Sequence, residues 1–201
     1  MNDFGEKRFG NKRNILLFWL QAAVIGAAYA ALTMVLAPIS YGPVQVRVSE
    51  ALTVLPFFTP AAVPGLFIGC LVSNAVMSPY PLDFIIGSSA TLVAALLSYA
   101  LRKIPWLVPL PPVIVNGAAI GAMLYYLYGV PPSLWADMGF VALGEAVACY
   151  AVGIPLMKAL GRCRHIFEYK RDGSERPGEK HLNAQEHKRQ RRDAAEKDKR
   201  H

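Results

Sequence analysis

NILLFWLQAAVIGAAYAALTMVLA, residues 14–37, runs twenty-four positions without a charge and halts at Pro38. As an unbroken helix it is about 36 Å long, and ~20 apolar residues suffice to cross the ~30 Å hydrocarbon core of a bilayer. Its apolar positions do not alternate with a polar face, as they do on the surface helix of a soluble domain. The same pattern persists well beyond it. From 14 to 161 the only charges are Arg47, Glu50, Asp83, Arg102, Lys103, Asp137, Glu145 and Lys158, in a chain of 201 residues that is 54% hydrophobic with a mean hydropathy of +0.30. An ionised side chain in hydrocarbon is costly unless it is paired, snorkels or lines a wet cavity. The fold class is therefore an all-α membrane protein, and its few interior charges are the first candidates for function.

Prolines and glycines punctuate the rest into further spans. After span 1 (14–37) and a linker (39–48), span 2 occupies 49–58 and stops ahead of Pro60; span 3 takes 61–77. Ser78-Pro79-Tyr80-Pro81 separates it from span 4 (82–101), which Arg102, Lys103 and Pro105 close. Span 5 covers 110–128, ended by Gly129 and Pro131-Pro132, and span 6 covers 133–160, a length that implies tilt or extension past the lipid. Span 2 is too short to cross alone. It reads as a short helix buried among its neighbours, with 38–48 folding back into the protein. Cytoplasmic loops collect Lys and Arg. With six crossings, Lys7, Arg8, Lys12, Arg13, the Arg102-Lys103 joint and the basic C-terminus share one side, while Arg47, Asp83 and Asp137 share the other; five crossings break this pattern. The expectation is six transmembrane helices with both termini cytoplasmic. Ala28-Tyr29-Ala30 resembles a signal-peptide cleavage site, but the apolar run exceeds a usual h-region and cleavage would spoil the even count.

The organisation is then a cytoplasmic N-terminus (1–13), a membrane domain (14–161) and a cytoplasmic tail (162–201). Of the net charge of +7, the tail supplies +5, with thirteen Lys and Arg against eight Asp and Glu. It reads as a solvated, disordered segment with a weak pull toward anionic lipid, not as a nucleic-acid signal for the whole chain. All four histidines lie in it, and Cys70, Cys149 and Cys163 form no C-x-x-C pair. No metal or cofactor is expected. There is no phosphate loop of the G-x-x-x-x-G-K-[ST] type, no G-x-S-x-G and no H-E-x-x-H, so the chain carries no ATP site of that kind and active-site chemistry is disfavoured.

Two features point to binding instead. Ala23, Ala27 and Ala31 recur every four residues on span 1, with Ala22, Gly26 and Ala30 beside them; such faces let a second helix, in the same chain or another, approach closely in lipid. Polar residues also interrupt the spans. Arg47, Glu50, Asn74 and Asp83 fall toward the outer side. Glu145 lies about 18 Å along span 6, twelve residues after Ser133, and Asn116 is twelve residues before Tyr128 on a helix of opposite direction, so the two share a depth. An acid there needs a partner, a proton or a polar guest. Blander roles are open for the others: interhelical glue for the two asparagines, a local Arg47–Glu50 pair, a helix cap for Asp83, and local hydrogen bonds for Gln21, Tyr29 and Thr33.

The ordered run APISYGPVQVRVSEALTVLPFF (37–58), continuing into PGLFIGCLVSN (64–74), together with PPVIVN (111–116), YYLYG (125–129) and LGEAVACY (143–150), resembles the QueT family over roughly residues 13–160. QueT proteins look like substrate-binding S components of energy-coupling factor (ECF) transporters. The resemblance implies a six-helix bundle with a short second helix in the bacterial cell membrane. Such a protein binds a queuosine precursor, a 7-deazaguanine such as the aminomethyl form, outside the cell. It works with a transmembrane T component, which docks on the Ala23, Ala27 and Ala31 face, and with two ATPases. On this reading Glu145 and Glu50 take the donor edge and the amine in an unassigned order. Arg47, Asn74 and Asn116 read the remaining edges, Asp83 is counted among the binding residues, and Ser40, Tyr41 and Gln45 close over the site from outside. Competing expectations are another cargo, such as a vitamin or tryptophan, a membrane-embedded enzyme, or a purely structural subunit.

Overall fold

A computed structural model describes residues 3–40, 47–78, 81–129 and 133–162. Tyr41, Gln45 and the tail expectation lie outside them. Contacts divide the chain into two units, 15–168 and 1–14 with 169–201; the architecture below is that of the first.

The described residues are helical and contain no strand. Six principal helices follow in order: helix 1 (Asp3–Val35), helix 2 (Val48–Phe57), helix 3 (Ala62–Met77), helix 4 (Ile86–Ala100), helix 5 (Leu110–Tyr128) and helix 6, which runs from Leu134 to Gly161. Short turns at Ala37–Ser40, Pro81–Phe84 and Pro105–Leu107 join them. Helices 1, 5 and 6, and helix 4 taken together with the Pro81–Phe84 turn before it, are long and apolar enough to cross a membrane, whereas helices 2 and 3 are shorter. Large apolar side chains such as Leu16, Leu20, Val24, Val76, Ile85, Ile114 and Leu143 are exposed around the bundle. A soluble monomer rarely shows apolar surface on that scale; lipid tails accept it.

Helix 1 crosses helix 3 at backbone contact. A Cβ placed on Gly69 would lie 2.6 Å from the Gly26 carbonyl oxygen, and one on Gly26 would lie 2.9 Å from that of Gly65. Ala22, Ile25, Gly26, Tyr29, Ala30 and Thr33 form the buried stripe of helix 1. Ile25 and Tyr29 join Leu55, Leu66, Cys70 and Ala95 in the central apolar cluster. Helix 5 packs on helix 6 just as closely, Gly117 facing Ala142 and Gly121 facing Met138.

Helix 2 departs from the α form. It is a ten-residue 3₁₀ helix with Pro56 inside it, buried along Ser49, Glu50, Ala51, Thr53, Val54, Leu55 and Pro56. At about 2.0 Å rise it spans roughly 20 Å, against roughly 15 Å for an α-helix of the same length, so overwinding lengthens a segment too short to cross. Helix 6 departs in the opposite sense: Leu134–Ala146 is α, Val147–Gly153 is a π segment, and Ile154–Gly161 returns to α. The two irregular segments pack on each other. Gly153 sits where a Cβ would come within 2.9 Å of Val54 Cγ1 and 3.3 Å of the Ala51 carbonyl oxygen.

Candidate functional site

Ser40 aside, six of the other eight sequence-selected binding residues are described, and all six are buried: Arg47, Glu50, Asn74, Asp83, Asn116 and Glu145. They form an inner and an outer group.

The inner group gathers where helices 2 and 6 leave the α form. Glu50, in the first turn of helix 2, accepts a hydrogen bond on Oε1 from the Tyr29 hydroxyl of helix 1 and a longer one, 3.4 Å, from Thr91 Oγ1 of helix 4. Its Oε2 has no hydrogen-bond partner among the described residues. Glu145 meets Asn116 at the shared depth the spacing predicts, Asn116 Nδ2 donating to Glu145 Oε1 at 3.2 Å. A carboxylate only accepts, so this bond fixes the amide orientation and leaves Asn116 Oδ1 facing away, without a partner among the described residues. The Cys149 thiol sits between the two acids, 3.5 Å from the Glu50 backbone oxygen, 3.9 Å from Glu145 Oε2 and 3.6 Å from Thr53 Oγ1.

The outer group centres on Asp83 in the Pro81–Phe84 turn. Its Oδ2 pairs with Arg47 Nη2 at 2.5 Å and accepts from Ser78 Oγ at 3.0 Å, while Asn74 Nδ2 donates to its backbone oxygen at 3.0 Å. Gly87 leaves room for the carboxylate, since a Cβ there would run into Asp83 Oδ1. Asp83 is thus engaged with Arg47 rather than only capping helix 4. A cavity of about 430 Å³ opens beside Asn74 and Ser78, against Pro81 and Phe84.

A polar chain joins the two groups. Thr91, which donates to Glu50, also lies 3.4 Å from Cys70 Sγ, and Cys70 accepts from Asn74 Nδ2 at 3.3 Å. Sequence reasoning missed Tyr29, Thr53, Cys70, Thr91 and Cys149. Both thiols had a signal: Cys70 is four residues before Asn74 and Cys149 four after Glu145, a spacing that puts each pair on one helical face. Thr33 does bond locally, to the Tyr29 backbone oxygen at 2.9 Å, but also reaches Ser49 Oγ at 2.6 Å. Helix 1 is therefore tied to helix 2 on both sides of the Ser49–Glu50 peptide.

The small-residue face of helix 1 is split. Ala22, Gly26 and Ala30 are buried, with Gly26 against helix 3, whereas Ala23, Ala27 and Ala31 are exposed. Ala23 and Ala27, with Trp19, Ile68 and Val72, line an apolar groove of about 310 Å³ between helices 1 and 3.

What this arrangement can do chemically is accept hydrogen bonds and positive charge. The open polar atoms of the inner group are carboxylate and amide oxygens, and the Arg47 guanidinium is engaged by Asp83. Among the described residues no group of His, Cys, Asp and Glu is arranged to hold a metal ion.

Comparison with known proteins adds a family and one relative. The sequence model described as QueT transporter matches residues 19–162. A protein of Lactococcus lactis subsp. cremoris (strain MG1363), "Queuosine precursor transporter QueT", is 42% identical over 73 residues, which cover 35% of this chain and 43% of that relative. The aligned stretch thus spans less than half of the relative's length. No solved structure matches.

Proposed function

The chain belongs to the QueT transporter family, and from that premise we propose that it is the substrate-binding component of an ECF-type importer. It captures a queuosine precursor, a 7-deazaguanine, outside the cell and delivers it through a T component and two ATPases. In this reading it sits in the cell membrane with both termini cytoplasmic. The observation that carries the binding role is the pair of buried carboxylates, Glu50 and Glu145, 0% and 1% exposed. Each keeps accepting capacity that its neighbours do not fill.

Two such acids in an apolar bundle are expensive without a guest. A 7-deazaguanine presents a ring N–H and an exocyclic amine side by side, and its aminomethyl form adds a cation. Charge-assisted hydrogen bonds of this kind are strong in a dry site. One carboxylate receives the donor edge and the other the amine. Asn116 stands beside Glu145, and Asn74 with the Arg47–Asp83 pair frames the remaining edges. The exposed Ala23 and Ala27 groove is the surface on which the T component docks, because small side chains permit close helix approach in lipid.

Binding of radiolabelled precursor to the purified chain tests this. Glu145→Gln and Glu50→Gln are expected to weaken binding of the aminomethyl form; wild-type affinity in both variants refutes the assignment. Unlabelled vitamins and tryptophan should fail to compete, and competition by one of them would transfer the site to that cargo.

A further inference from the structure

Resting on the proposed cargo, we infer that the two acids have fixed and different duties: Glu145 with Asn116 reads the guanine donor edge, and Glu50 holds the cationic arm at position 7 of the ligand. The assignment comes from counting which oxygens are already engaged. Glu50 is half used. Its Oε1 takes both the Tyr29 hydroxyl and Thr91, which fixes the plane of the carboxylate and leaves Oε2 as its one open acceptor. A carboxylate held this way makes a one-point contact. It cannot lie parallel to a two-donor edge, which needs both oxygens side by side.

Glu145 has the opposite character. Its Oε1 accepts one amide hydrogen at 3.2 Å and keeps a second lone pair, while its Oε2 has only a thiol at 3.9 Å. Both oxygens remain able to accept. Asn116, held on Glu145 by its amide nitrogen, adds Oδ1 as a further open acceptor. Two carboxylate oxygens can take the parallel donors of the guanine edge, the ring N–H and one amine hydrogen, and the amide oxygen is open to the second amine hydrogen. The carboxylate at Glu50, with Tyr29 and Thr91 as neutral supports, then meets a single ammonium hydrogen and its charge. Tyr29 is a positioning residue: it aims Glu50 and does not touch the ligand.

The test is a matrix of two ligands and four proteins. The ligands are 7-aminomethyl-7-deazaguanine, which carries the cation, and 7-cyano-7-deazaguanine, which has the same edge and no charge. The purified full chain is compared with Glu50→Gln, Glu145→Gln and Tyr29→Phe by equilibrium binding. Wild type should favour the aminomethyl ligand. Glu50→Gln should lose ~10- to 100-fold for it and less than ~3-fold for the cyano ligand, from the usual worth of one charged hydrogen bond. Glu145→Gln should weaken both ligands by similar factors. Tyr29→Phe keeps the Glu50 charge and should cost ~3- to 10-fold for the aminomethyl ligand alone, a selectivity that a general loss of packing would not produce. Equal losses for both ligands in Glu50→Gln and Tyr29→Phe, or a charge-selective loss in Glu145→Gln, overturn the assignment while leaving the cargo standing. A wild-type protein that does not favour the cation also overturns it. If wild type binds neither ligand, the cargo itself is wrong and the assignment falls with it.

Discussion

Gly69→Ala adds one methyl group at the tightest part of the bundle. The new Cβ would lie 2.6 Å from the Gly26 carbonyl oxygen, 2.9 Å from Tyr29 Cβ and 3.0 Å from Gly26 Cα. Ordinary contact begins near 3.4 Å, so about 0.8 Å must be found at the carbonyl, and two of the three neighbours are backbone atoms that no rotamer change can move. Helix 1 has to retreat from helix 3. Overpacking of this kind costs roughly 1–3 kcal/mol, which for a domain of this size corresponds to a fall in Tm of roughly 2–12 °C. Gly139→Ala is the matched control, because a Cβ there meets nothing within 4 Å. It should be neutral or slightly stabilising, since alanine is favoured over glycine by up to ~1 kcal/mol inside a helix. Unfolding is followed in detergent with a dye that fluoresces on thiol addition, the buried Cys70 and Cys149 reporting loss of the core. If Gly69→Ala and Gly139→Ala move Tm in the same direction and by the same amount, the close crossing is not what holds helix 1 in place.

Three further outcomes are expected. Arg47→Met should lower Tm strongly, because it strands Asp83, and removing one partner of a buried ion pair costs ~3–5 kcal/mol; the double variant Arg47→Met with Asp83→Leu should recover a large part of that loss in the same melt. Asn116→Leu removes the donor from Glu145 Oε1, and leaving a buried acceptor without its bond costs ~1–3 kcal/mol; binding of the aminomethyl ligand should fall at least as far as stability, and unchanged binding would detach Asn116 from the site. Deleting 171–201 should leave ligand affinity unchanged, since the inner and outer groups fall between Tyr29 and Cys149; a weaker Kd in the truncated chain would place part of the site in the tail.

Much of the bundle was legible because proline and glycine act locally. Helix 5 occupies Leu110–Tyr128, as the punctuation predicts, and ends on Gly129 at φ 62°, the left-handed conformation that favours glycine. Helix 3 starts one residue later than the expected span. The Asn116–Glu145 contact was legible because helical rise converts sequence separation into depth. The Tyr29–Glu50 bond was not. It joins residues twenty-one apart on helices whose relative rotation depends on the glycine crossing of helices 1 and 3, and no periodicity within one helix encodes that rotation. The two winding changes were illegible for a related reason. Ten residues are too few to separate a three-residue repeat from a 3.6-residue one, and a single extra residue in the continuous apolar run of helix 6 leaves no trace in its composition.

Those two winding changes also account for the position of the inner group. A long 3₁₀ segment and a π segment are both less favourable than an α-helix, and each persists here against the other, with Gly153 set on Val54 and Ala51. Overwinding carries Glu50 into the bundle on a segment too short to cross as an α-helix. Underwinding begins two residues after Glu145 and includes Cys149, whose thiol contacts the Glu50 backbone oxygen, so the two irregularities meet at the acids. π segments occur disproportionately at functional sites. Deleting one residue from the exposed side of this segment, at Ala151 or Val152, should restore an α winding and turn the residues of the segment, Cys149 among them, relative to Glu145, while Ile154–Gly161 keeps nearly its present facing. The expected result is a protein that keeps its helical circular dichroism and loses ligand binding. Retention of wild-type affinity by the deletion variant would mean that the π segment plays no part in aiming the carboxylates.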